Sequence, residues 1–156
     1  MNNNFNYTVE QIQTEWEKDC NIGNDYEAES RLIPELNHKY LKMYAYTKKR
    51  HIKLRSEQEK FSQFLDDYYS GQLQQEDLKY SEYYHLYKLP PQKKYTRVEL
   101  NSVISRDKNM ISINLVINEL LLMIEILEKI MESIGQRSFY INNCIKMLGY
   151  KENIKL

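Results

Sequence analysis

A chain of 156 residues with 22 Lys or Arg, 22 Asp or Glu and a formal net charge of zero is long enough to bury one core, and it has no bulk positive charge with which to attract a polyanion. Four Gly and three Pro argue against a turn-rich β fold and for an all-α protein built of long helices. Two cysteines, Cys20 and Cys144, lie far apart without CxxC or Cys/His partner spacing, so neither a disulfide framework nor a zinc site is indicated.

The first seven residues, rich in Asn and without pattern, are expected to form a disordered tail, 1–7. Thr8 and Gln11 make a capping-box pair ahead of Val9, Ile12 and Trp16 at helical spacing, predicting a short N-terminal helix that ends near residues 21–23. A long helix is predicted over about 25–69, with Pro34 marking a kink or a fresh start. Leu36, Tyr40, Met43, Thr47, Leu54, Phe61, Leu65 and Tyr68 form its buried stripe. Ser70 and Gly71 stop it. Residues 72–97, with Pro90 and Pro91, read as an irregular connector with one short helix near 74–86. A long apolar helix is predicted over 98–134 with Gly135 as its cap. A short C-terminal helix follows, capped by Ser138 and closed by Gly149, with Ile141, Cys144, Ile145 and Leu148 on one face. The longest unbroken apolar run, 120–124, is too short for a membrane span, and no charged-then-apolar leader is seen, so a soluble protein that is not exported and has no membrane partner is expected.

Charge is laid out in blocks. Residues 1–35 carry eight acids and two bases, 36–56 seven bases and no acid, 57–85 seven acids and two bases, 86–97 four bases and no acid, and the remainder seven of each. On a helix, Lys39, Lys42, Lys49, Lys53 and Lys60 project along one strip beside the apolar stripe, with Tyr46 inside it and Arg50 at its edge; Lys48 and Arg55 point elsewhere. Fixed cations spaced along a path, with an aromatic ring on which a base can lie, suit non-specific binding of single-stranded nucleic acid. A merely solvated helix face would more often alternate charge signs to gain pairs one turn apart. Lys88, Lys93, Lys94 and Arg97, with Tyr87 and Tyr95, form a second acid-free cluster. A neutral monomer would bind weakly, so several copies would have to present the strip together.

The apolar helix offers a means. Over 110–134, 16 of 25 residues are apolar, and Ile113, Val116, Leu120, Met123, Leu127, Ile130 and Ile134 trace the three-and-four spacing of a coiled-coil seam, which makes them the expected oligomer interface. Catalytic constellations are weak. Asp66 and Asp67 are adjacent and diverge by about 100° on a helix, while His38, His51 and His85 lack ligand spacing, and neither a phosphate loop nor a nucleophile elbow occurs. No catalytic residue, metal site or cofactor is expected.

Several features resemble the UvsY family of recombination mediators of T-even-like bacteriophages. They are Leu32-Ile33-Pro34-Glu35-Leu36-Asn37-His38-Lys39-Tyr40-Leu41, Tyr68-Tyr69-Ser70-Gly71 and Gln136-Arg137-Ser138-Phe139-Tyr140-Ile141 with Ile145, together with 98–110, where Asp107 precedes an apolar helix. The resemblance covers about 8–148. It implies a ring-like homo-oligomer of roughly six or seven subunits, binding to single-stranded DNA, and contacts with a UvsX-type recombinase and a phage single-strand-binding protein, in the cytoplasm of an infected bacterial host. It also implies a loading factor rather than an enzyme. Some members carry basic residues just ahead of the Tyr-Tyr-Ser-Gly segment, where this chain has Gln63, Phe64 and Leu65. The expected organisation is therefore a tail 1–7, a helical DNA-binding region with connector 8–97 and a helical oligomerisation region 98–156. The expected DNA contacts are Lys39, Lys42, Tyr46, Lys49, Arg50, Lys53, Arg55, Lys93, Lys94 and Arg97. The competing reading is a helical structural or adaptor protein whose basic blocks pair with the acidic N-terminal segment of a neighbour.

Overall fold

Six helices make up the described residues, 7–153, of the computed structural model, and no strand occurs among them. They are α1 Val9–Asp19, α2 Tyr26–Ser70, α3 Gln75–Tyr80, α4 Glu82–Tyr87, α5 Arg97–Ser105 and α6 Lys108–Asn153. The expected tail lies outside the described residues except for Tyr7, which is half-buried. Helix α1 starts as its capping box requires: Gln11 N–H donates to the Thr8 hydroxyl at 3.3 Å and Thr8 N–H to the Gln11 side-chain carbonyl at 3.0 Å.

The long helix expected over about 25–69 is α2, which runs through Pro34 without the fresh start that is one of the two alternatives there. Pro34 is exposed, so the Ser30 carbonyl that loses its donor can face water, and the ring's usual penalty is softened. The remaining boundaries correct the sequence reading in three places. The connector holds two short helices where one was expected, because Ser81 has extended backbone (φ −79°, ψ 120°) and ends α3 while its hydroxyl accepts from Tyr84 N–H to start α4. The helix expected over 98–134 is two helices. Asp107 breaks it and caps α6, its carboxylate accepting from Asn109 N–H at 2.9 Å and Met110 N–H at 3.2 Å. Gly135, Ser138 and Gly149 then cap nothing, since all three lie inside α6. By length and composition α6 could also cross a membrane, with a mean hydropathy of 1.9 over its most apolar 18-residue window. That corrects the inference from unbroken apolar runs. The buried row along α6 described below is the pattern of a core helix, which meets the same criterion.

Contacts divide the chain into two units that the long helices both enter. Unit 1 comprises the chain up to Lys49 and from Glu119 onward; unit 2 is Arg50–Asn118. In unit 1, Ile12 of α1, Tyr40, Met43 and Thr47 of α2, and Leu120, Met123, Ile124, Leu127, Ile130, Ile134 and Ile141 of α6 are buried. Thr47 is tolerated there because its hydroxyl donates to the Met43 carbonyl at 2.9 Å. Arg137, only 7% exposed, donates to the carbonyls of Asp19 and Asn21 and to the Glu29 carboxylate. One side chain of α6 thereby closes the turn between α1 and α2.

In unit 2 the core is Phe61, Leu65, Tyr68, Tyr69, Leu78, Leu89, Leu100, Ile104 and Met110, with Phe64, Tyr83, Tyr84, Tyr87 and Tyr95 packed around it. Many of the tyrosines are thus explained as core. Phe61 and Tyr87 have ring centroids 4.2 Å apart, and Tyr69 and Tyr95 meet edge to face at 5.7 Å. Gly71 ends α2 in the left-handed region (φ 76°), and a Cβ there would fall 2.4 Å from the Lys94 stem. The segment after α4 is strapped to that end: Tyr68 hydroxyl donates to the Pro90 carbonyl, Gln92 to the carbonyls of Tyr68 and Leu73, and Tyr95 N–H to the Tyr69 carbonyl.

Candidate nucleic-acid interface

The acid-free run 36–56 lies wholly within α2, whose buried stripe leaves its cations on the other faces. In unit 1 these cations have different fates. Lys39 is taken up internally, its ammonium 2.7 Å from both the Glu15 and the Asp19 carboxylates of α1, with the Tyr40 hydroxyl also donating to Asp19 at 2.9 Å. Burial opposes the Lys39 charge, but the hydrogen bonds to Asp19 and Glu15 outweigh it and hold its pKa above the ordinary value. Glu15 is held down to about 2 by the hydrogen bonds from Lys18 and then Lys39. Lys42, Lys48 and Lys49 are exposed and Tyr46 is half-buried; the Lys48 ammonium sits 5.7 Å from the Tyr44 ring centroid.

In unit 2, Arg50 is half-buried, while Lys53, Arg55 and Lys60 are exposed. Lys53 approaches Glu57 one turn on, at 3.8 Å with 79% of its side chain exposed, a pair too solvated to compete strongly with a phosphate. Arg55 donates to Gln58 at 3.1 Å. Lys93 lies over the Tyr95 ring at 5.2 Å; Lys94 is exposed at its head while its stem covers Gly71; Arg97 is exposed at the start of α5. Unit 2 therefore adds exposed cations from three elements. Tyr95, which the sequence groups with the second cationic cluster, meets Tyr69 edge to face.

Most residues of the expected oligomer seam are buried within the chain itself. Leu120, Met123, Leu127, Ile130 and Ile134 are 0–4% exposed within this one chain, because the unit 1 parts of α1 and α2 already cover that face. Ile113 is half-buried and Val116 is 40% exposed. The apolar surface still open on α6 is another set, most densely Phe139, Tyr140, Met147, Leu148 and Tyr150 near its end, 49–72% exposed. A heptad seam and a monomer's own core stripe share one spacing, so only burial separates them. A groove of about 960 Å³ in unit 1, with Trp16, Ile126 and Ile130 in its lining, is rimmed by Glu17, Glu125, Glu128 and Glu132, the wrong sign for a phosphate backbone. No cluster of three or more His, Cys, Asp or Glu suited to a metal ion occurs among the described residues.

The helices define an all-α protein, and the exposed cations of the run 36–56 give α2 a surface suited to nucleic acid. The family model described as recombination, repair and ssDNA binding protein UvsY matches residues 15–152, and the chain belongs to the UvsY family. Crystal structures of the bacteriophage T4 recombination mediator protein UvsY share its fold. Lattice type II is 20% identical, covers 94% of this chain and 98% of that one, and gives a TM-score of 0.75. Lattice type IV is 19% identical, covers 93% and 99%, and gives 0.74. Lattice type I is 18% identical, covers 90% and 98%, and gives 0.71. No curated protein matches this chain.

Proposed function

We propose that this protein is a recombination mediator that holds single-stranded DNA on α2 and the loop before α5, acts as a ring-like homo-oligomer, and helps a phage recombinase load in place of the single-strand-binding protein. Family membership supplies the general role. The observation that carries the local reading is that Lys42, Lys48, Lys49, Lys53 and Arg55, in a 21-residue stretch without an acid, remain exposed in the folded chain. Lys39 is set apart from them, since a strand would have to displace two carboxylates to reach it. Self-association is assigned to the open apolar end of α6 rather than to the buried seam, because an exposed apolar cluster of this density is a common mark of an interface. Mediation follows from charge and copy number: a strand drawn across several subunits gains affinity by effective concentration, loosens its grip on the bound single-strand-binding protein, and is presented to the recombinase. The site of action is the cytoplasm of an infected bacterial cell.

The deciding experiment is fluorescence anisotropy with single-stranded and duplex oligonucleotides across a salt series, on protein of known oligomeric mass. Replacing Lys42, Lys49 and Lys53 by Ala should weaken single-strand binding and reduce the log-log salt slope by about 2, at roughly 0.7 per phosphate contact, without changing oligomer mass. Unaltered affinity and slope would remove α2 from the interface. The adaptor reading wins if the wild-type oligomer fails to bind single strands even at low salt.

A further inference from the structure

Lys88, Arg106 and Lys108 are brought together by unit 2 in a way their sequence positions do not suggest. An open pocket of about 580 Å³ is lined by these three cations together with Tyr69, Tyr87 and Asp107. The cations come from the end of α4, the α5–α6 junction and the first turn of α6. All three are exposed, and none has an ion-pair partner among the described residues. The single acid present is already occupied, capping α6 through Asn109 and Met110 and accepting from the Tyr69 hydroxyl at 3.5 Å. The pocket therefore keeps a net positive charge, with three cations against the one carboxylate of Asp107.

Two of the cations also sit where local physics disfavours them. Lys88 is the one non-glycine residue with positive φ among the described residues, at 46°, a conformation in which a Cβ costs roughly 1 kcal/mol and Gly or Asn is usual. Lys108 opens α6, where the unpaired N–H groups already make the helix end positive. Departures from local preference that converge on one cavity mark a functional constraint more often than chance. The walls are also fixed. Asn109 donates to the Tyr87 carbonyl at 3.3 Å, tying the α4 end to α6, and Tyr87 is braced by Phe61. Val103 and Pro90 complete an apolar side. The volume falls within the range of small-ligand sites, about 300–1,000 Å³.

The geometry points to a nucleotide-binding pocket in unit 2 in which Lys88, Arg106 and Lys108 hold a phosphate of the single strand while its sugar and base lie against the Tyr87–Val103 wall. This rests on the proposed single-strand binding and extends it to residues outside the α2 strip. The shared chemistry, a phosphate joined to a nucleoside, could also come from a free nucleotide, so the test must separate the two.

Three proteins suffice: wild type, Lys88→Gly, and the double variant Arg106→Gln with Lys108→Gln. Oligo-thymidylate binding is followed by anisotropy over a salt series, with oligomer mass and melting temperature measured on each. The double variant should bind roughly tenfold more weakly at low salt and lose about 1.4 from the salt slope, at roughly 0.7 per contact. Lys88→Gly should also weaken binding while its melting temperature stays equal or rises, since Gly relieves the left-handed strain; a purely structural role for Lys88 would not separate the two readouts. If the wild type binds and both variants match it in affinity and slope, the pocket assignment is overturned and α2 binding survives. If the wild type does not bind, the function proposed above fails and takes the pocket with it. A melting shift by millimolar dTMP in the wild type alone, with oligo-thymidylate affinity equal in all three proteins, would make the site one for free nucleotide and overturn its assignment to the strand.

Discussion

Arg137 shows how much one side chain can decide. It is 7% exposed and satisfies two main-chain carbonyls and Glu29, while its Nε has no partner. Removing it strands a carboxylate that is itself largely buried, at 15% exposure, so Arg137→Ala should cost about 3 kcal/mol in denaturant unfolding. Arg137→Lys would recover only part of this, lacking the planar fork. The hydrogen bond from Gly23 N–H, and then that from Arg137, hold the Glu29 carboxyl below the usual carboxylate range. A depressed carboxylate stabilises the fold above its unfolded pKa of about 4.3 and loses that contribution as pH falls through the lower folded value. Wild-type stability should therefore fall with acidification below about pH 4.3, and Glu29→Gln, already weaker at neutral pH, should show a shallower fall over the same window. An equal acid slope in both proteins would show that Glu29 is not a main contributor. Sequence spacing could not have found this contact, whose partners lie 108 residues apart.

At the scale of the element, two glycines separate propensity from geometry. Gly135 lies within α6, and a Cβ added there would meet nothing within 4 Å, whereas Gly71 is left-handed and crowded by Lys94. Gly135→Ala should raise stability by about 1 kcal/mol, the helix-interior difference between the two residues. Gly71→Ala should lower it by at least about 1 kcal/mol. Opposite shifts in thermal melting check both at once, and like signs would contradict the placement of one of them. Sequence alone puts both glycines at helix ends, correctly for Gly71 only, because glycine marks where a helix can end and tertiary packing decides whether it does. The buried rows of α6 on both sides of Gly135, ending at Ile134 and resuming at Arg137 and Ile141, carry the helix past it. Asp107 is the opposite case. Its carboxylate is legible as a feature before an apolar helix, yet apolar periodicity continues across the break and merges α5 with α6.

For the whole molecule, the question is which apolar surface is spent inside one chain. Leu127→Asp should unfold the protein, since Leu127 is fully buried and an unpaired buried charge is poorly tolerated. Phe139→Asp with Met147→Asp should leave the helical circular dichroism and melting transition near wild type while lowering the mass seen by light scattering, because both side chains are exposed, at 72% and 60%. A fall in melting temperature without a change in mass would place those residues in the monomer's own packing. Charge follows the same rule. Lys39 and Lys53 both read as strip residues, but α1 supplies two carboxylates to the first, and the second keeps only a solvated neighbour.

The all-α class, the α1 cap, the end of α2 at Gly71 and the acid-free run 36–56 were set by the sequence itself, because each depends on neighbours within a few residues: hydrogen bonds one turn apart, a left-handed turn, a count of charges. Family membership was legible as well, through the order of short segments. The tertiary structure alone decided which stripe of α6 is core, which lysine is locked by α1, that Tyr69, Tyr83, Tyr84 and Tyr87 pack around Phe61 and Tyr68, and that Lys88 shares a pocket with Arg106 and Lys108. Those outcomes depend on what lies opposite a residue in space, and periodicity along a helix carries no record of that.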